Sequence, residues 1–181
     1  MKTKKLFPIL LCAISMAFLF SSCDKGTVSE RKSIKININT EVKEVVATYS
    51  LLRAGEINTF SGTANVSLSN IPELSGFDLD ALSAVTVRSV TIGTSCAEPG
   101  DFYVENILLQ TTGASASVNR VVVGESVTSN DEVNAFIQTL LTNLVSGNSF
   151  PISISGTTNV NPPGKIIVFV LDIDANWTSD L

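Results

Sequence analysis

Apolar and polar residues alternate along most of this chain, and period two is the signature of a strand with one dry face. In SIKININ, residues 33–39, Ile34, Ile36 and Ile38 share a face, which predicts a half-buried strand. In FSGTANVSLSN, Phe60, Gly62, Ala64, Val66 and Leu68 lie on one side, opposite Ser61, Thr63, Asn65, Ser67 and Ser69. One buried and one wet face is the pattern of an antiparallel sheet. Residues 45–51 alternate too, although Val42, Val46 and Tyr49 would equally suit a helix.

Farther on, Pro72 and Gly76 interrupt residues 71–85, a stretch expected to cross between sheets with a short helical turn. The phase then flips within VTVRSVTIG. Val85 and Val87 share one face and Val90 and Ile92 the other, so either a bulge near Arg88 and Ser89 or a strand buried on both faces is expected. Strands are also expected at 101–110 and 114–123, joined by the turn TTG.

Between residues 129 and 147 the period changes. Val133, Phe136, Ile137, Leu140, Leu141, Leu144 and Val145 recur at spacings of three and four, the stripe of an amphipathic helix. Ser129, three residues before Glu132, has the spacing of a capping box, and Gly147 stands where a helix stops. The remaining segments, FPISISGTTNV and IIVFVLDIDANW, flank NPPGK and suggest a hairpin. These elements predict a mainly β fold: an antiparallel β-sandwich of seven to nine strands with one amphipathic helix. An immunoglobulin-like arrangement is a candidate, although the Cys…Trp…Cys signature is absent.

The N-terminus follows a different logic. MKTKK places three lysines in five residues, and the next fifteen, 6–20, carry no charge. That is a signal-peptide layout. As a helix the run would cover about 22 Å, short of the roughly 30 Å of a hydrocarbon core, so it predicts no permanent transmembrane anchor. The run ends in Ser21 and Ser22 directly before Cys23, and this resembles the lipobox of bacterial lipoproteins, with Phe20 where leucine is common and Leu19 one step out. The resemblance covers 23 residues. It implies cleavage before Cys23, acylation of its thiol with palmitate-type chains, and attachment to a bacterial membrane through lipid. It leaves open whether the domain faces the periplasm or the cell surface. The expected organisation is a signal peptide at 1–22, a lipidated cysteine and polar tether at 23–33, and one β-rich domain at 34–181.

Charge and composition narrow the partners. Residues 1–22 hold three of the 12 basic residues and none of the 17 acidic ones, so the remainder sets nine bases against 17 acids, a net charge of −8. Nucleic acid and anionic lipid surfaces require a basic footprint and are not expected partners. Cys12 leaves with the signal and Cys23 is the lipid site, so Cys96 is the lone thiol of the folded part, expected to be buried.

The chain contains no histidine, which removes the usual Ser-His triad and histidine metal sites. No serine sits in a G-x-S-x-G elbow or an S-x-x-K box, and no phosphate-binding glycine loop is present. In DIDAN, Asp172, Asp174 and Asn176 copy the first ligand positions of a calcium loop, but Trp177 stands where such a loop needs glycine. Strand alternation explains the same residues as a solvated face opposite Ile173, Ala175 and Trp177. Asp78 and Asp80 suggest either paired carboxylates or the acidic start of a helical turn. Tyr103, next to Phe102, is the aromatic expected to be exposed and the weak candidate for ligand contact.

These features predict a lipid-anchored cell-envelope module that binds a protein or glycan partner, with no catalytic activity and no cofactor. The alternative is a periplasmic carrier of a small apolar ligand, held beneath Phe136 and Leu140, or a carboxylate-based hydrolase.

Overall fold

The computed structural model describes residues 26–44, 57–98, 100–147, 149–162 and 164–180. Cys23 and the expected strand at 45–51 lie outside them. The chain forms strands β1 (Thr27–Lys43), β2 (Asn58–Val66), β3 (Leu82–Cys96), β4 (Tyr103–Thr111), β5 (Ala114–Val122) and β6 (Ser126–Thr128). Helix α1 (Asp131–Val145), β7 (Phe150–Thr158) and β8 (Ile166–Asp180) follow. Every pairing is antiparallel, and the eight strands form one sheet in the order β5-β4-β7-β2-β1-β8-β3-β6. Among the described residues the fold is therefore mainly β with one α-helix, and the sheet curls until it is nearly a closed barrel. In an immunoglobulin constant-type sheet the second and fifth strands are neighbours. Here β2 and β5 are not.

The longest ladder joins the first strand to the last, from Thr27↔Asp180 to Glu41↔Ile166. Along it Ile34, Ile36 and Ile38 stand opposite Ile173, Leu171 and Phe169, all buried. The ladder begins earlier than alternation predicts. Thr27 to Ser33, expected as part of a polar tether, already pair with β8 from Asp180 to Asp174. Their even-numbered side chains gain little burial before Ile34, so the pairing there is carried by main-chain hydrogen bonds and leaves no hydrophobic trace.

The expected bulge is present: the β3–β8 register shifts between Val87 and Ser89, which turns Val90 and Ile92 inward. The crossover from β2 to β3 contains three short 3-10 turns, Leu68–Asn70, Pro72–Leu74 and Leu79–Ala81. It buries Leu68, Ile71 and Leu74.

Two expectations are corrected. The C-terminal segments are not a hairpin, because β7 lies between β4 and β2 while β8 lies between β1 and β3. Their link docks on β1 instead, with Gly164 N donating to Val42 O at 2.8 Å and Val42 N to Lys165 O at 2.9 Å. Alternation specifies which face of a strand is buried, not which strand lies beside it. The capping box is also absent. Asn130 caps α1, its Oδ1 accepting from Val133 N at 2.9 Å, while Glu132 Oε1 accepts from Ser117 N on β5. Gly147 ends the helix as expected, with φ of 90°.

Helix α1 lies against β5, at one end of the sheet order, and β3, next to the short end strand β6 at the other, and so fills the place where the barrel does not close. Val133, Phe136, Ile137, Leu140, Leu141 and Leu144 enter the core. Its polar side chains finish the free edges: Glu132 serves β5, and Gln138 accepts from Val87 N and donates to Val85 O on β3, each at 2.8 Å.

The opposite side of the barrel is joined differently. β1 and β2 pair only at Glu41↔Ser61, Val42↔Phe60 and Lys43↔Thr59. Immediately beyond, the carbonyl of Asn39 sits over Gly62, where a side-chain carbon would lie 2.1 Å from its oxygen. The bare glycine lets β1 cross there.

Candidate functional site

Three of the sequence-derived site residues lie together on the outer face of β8, where alternation places Asp172, Asp174 and Asn176 with Trp177 fully buried on the inner side. Arg31 Nε donates to Asp174 Oδ1 at 2.9 Å and Nη2 to Oδ2 at 2.7 Å, a bidentate pair reaching across from β1. Arg88, thrown outward by the β3 bulge, stands 3.8 Å from the same carboxylate, and Lys35 Nζ lies 3.8 Å from Asp172.

The Arg31 hydrogen bonds hold the Asp174 carboxyl below its ordinary range, with the charges of Arg31 and Arg88 adding to the effect against partial desolvation. The Arg31 guanidinium is correspondingly raised by its bond to Asp174. Each aspartate thus faces a cation. Among the described residues no three His, Cys, Asp or Glu side chains cluster closely enough to hold a metal ion. The arrangement is a cross-strand charge ladder that ties β1, β8 and β3 together.

The other candidates are dispersed. Asp78 and Asp80 are exposed, and Asp78 Oδ1 accepts from Asp80 N at 3.2 Å, capping the turn Leu79–Ala81. Tyr103 is half-buried, its ring covered by the Arg120 guanidinium 3.7 Å from the centroid. Cys96, expected to be buried, is half-exposed at the end of β3, opposite Ile167. It ends a strand at the sheet's rim, where the core no longer covers both sides. Phe136 and Leu140 belong to one hydrophobic cluster shared with the sheet. Trp177 Nε1 and Glu73 Oε2 are buried without a hydrogen-bond partner among the described residues.

A feature that residue types did not point to is the wedge where β1 and β2 separate. It is an open cleft of about 270 Å³ between Lys35, Ile36 and Asn37 on β1 and Asn65 and Val66 on β2, with Ile71 of the crossover also lining it. The trace it leaves in sequence is slight: a glycine at an inward position, 62, and a basic run at 31–35.

No helix among the described residues is long and apolar enough to cross a membrane. No protein-family model, no curated protein and no solved structure matches this chain.

Proposed function

We propose that this chain is a lipid-anchored cell-envelope module that binds or scaffolds a partner and has no catalytic activity. The observation that carries the reading is the fate of the outer-face acids. Asp174 is committed to Arg31, with Arg88 beside it, and Asp172 stands loosely opposite Lys35, so the two acids link strands rather than converging on a cleft. The anchoring part of the reading is supported by the lipobox resemblance at Ser21, Ser22 and Cys23, which would attach the domain to a bacterial membrane through acyl chains.

In finer detail we read the sheet as two layers, β5-β4-β7-β2 and β1-β8-β3-β6, stacked as a sandwich and joined at the three β1–β2 pairs. The crossing of β1 over Gly62 supports this reading.

The test is metabolic labelling with palmitate in the native host, followed by protease treatment and crosslinked capture on intact cells. The full chain is expected to take up label, fractionate with membranes and retain a partner, whereas Cys23→Ala takes up none and is released. Equal labelling of both forms would remove the anchor. A full chain that hydrolyses an envelope glycan or ester, with activity lost in Asp172→Asn or Asp174→Asn, would replace the binding role with an enzymatic one.

A further inference from the structure

The barrel has two places where neighbouring strands fail to pair fully, and they are finished differently. At the first, α1 fills the opening and supplies side-chain partners to β3 and β5 through Gln138 and Glu132. At the second, between β1 and β2, pairing stops after Glu41↔Ser61.

The direction of the free groups follows from Val42. Its N–H and C=O both bond to the link before β8, through Lys165 and Gly164. Main-chain groups alternate sides along a strand. Those of Ser33, Lys35 and Asn37 therefore point into the gap, and by the same alternation from Ser61 so do those of Thr63 and Asn65. No hydrogen bond from any described residue meets them.

An unpaired edge of this length is a template for another strand. Its charges disfavour symmetric pairing with a second copy centred on Ser33. Residues 31–40 carry Arg31, Lys32 and Lys35 with no acid, on a chain whose net charge is −5. Antiparallel self-pairing centred on Ser33 would set Arg31 against Lys35, and like charges directly opposite are destabilising. Arg31 is held by Asp174, but Lys35 is 58% exposed and only 3.8 Å from its partner, within reach of a new carboxylate. The wedge of about 270 Å³ has Ile36, Val66 and Ile71 at its back and polar Asn65, Ser67 and Asn70 around them.

We propose that the β1 edge from Ser33 to Asn37 binds an extended acidic peptide by strand addition. The guest places an apolar side chain in the wedge and an adjacent carboxylate against Lys35. This deepens the binding-module reading above, and rests on it, by naming the partner class. Main-chain pairing supplies the affinity and alternate side chains the selectivity.

The probe is an eight-residue peptide of alternating Asp and Val, with alternating Lys and Val as its counterpart, added to the full chain in detergent. Amide exchange is read residue by residue. The acidic peptide is expected to slow exchange at Ser33, Lys35 and Asn37, and raising salt should weaken it. Lys35→Glu should weaken it at least tenfold and transfer preference to the lysine peptide. Asn37→Pro, which removes one gap-facing N–H and no β8 bond, should abolish binding with the melting temperature held within a few degrees. Equal binding of both peptides, no binding of either, or binding that leaves those three amides unchanged would overturn the proposal. The envelope partner captured equally by wild type and Asn37→Pro would also overturn it, while leaving the binding-module reading intact.

Discussion

Replacing Gly62 by alanine isolates the joint on which the barrel turns. The new carbon would stand 2.1 Å from the Asn39 carbonyl oxygen and 2.8 Å from Thr40 Cγ2, where ordinary contact begins near 3.4 Å. β1 would therefore have to recede by more than 1 Å. It is held on its other side by the β8 ladder and on this side by the three pairs at 41–43. Overpacking of this kind costs about 1–3 kcal/mol or more. Alanine would return about 0.4–1 kcal/mol by restricting the unfolded chain. The net expectation is a loss of about 2 kcal/mol, or roughly 4–8 °C in melting temperature for a domain of this size.

Gly93 provides the internal control. It too sits in a strand, but an added carbon there meets nothing nearer than 3.8 Å. Gly93→Ala should be neutral or raise stability by up to about 1 kcal/mol. Both variants are compared by circular-dichroism melts and urea titration. A Gly62→Ala protein as stable as Gly93→Ala would refute the close crossing of β1 over β2.

Two further predictions concern single side chains. Asn130→Ala should cost about 1 kcal/mol in urea unfolding through loss of the helix cap, while Asn130→Asp should be nearly neutral. Because the folded-state pKa of Asp174 is depressed, its contribution is present above the unfolded value near pH 4 and lost as pH falls through the lower folded value. The melting-temperature gap between wild type and Asp174→Asn should therefore be open at pH 7 and close on acidification. A gap that is independent of pH would contradict the Arg31 pairing.

Much of this architecture was legible as face and period. The alternation of β1, β2 and β8, the phase change at Arg88 and the three-four stripe of α1 each reflect burial of a side chain, and burial is written in residue type. Partnership is not. The pairing of Arg31 with Asp174 spans 143 positions, and nothing in either local sequence ties one to the other. The same gap between face and neighbour misassigned β7 and β8 as a hairpin. The helix cap was misplaced by one residue because Ser129 and Asn130 are both capping types and only the hydrogen bond to Val133 separates them. Tyr103 was expected outside, and no local pattern could have shown that Arg120, from the neighbouring strand, would cover it.

The pairing of β1 with β8 also sets the order in which the sheet can be completed. Synthesis runs from Thr27 toward Asp180, yet these two residues are partners. The β1 ladder cannot form until residues 166–180 have left the ribosome, and closing so distant a contact is slow because the loop entropy is lost before the pairing rewards it. For most of its synthesis the chain is therefore an unfinished sheet with an isoleucine-rich first strand still waiting.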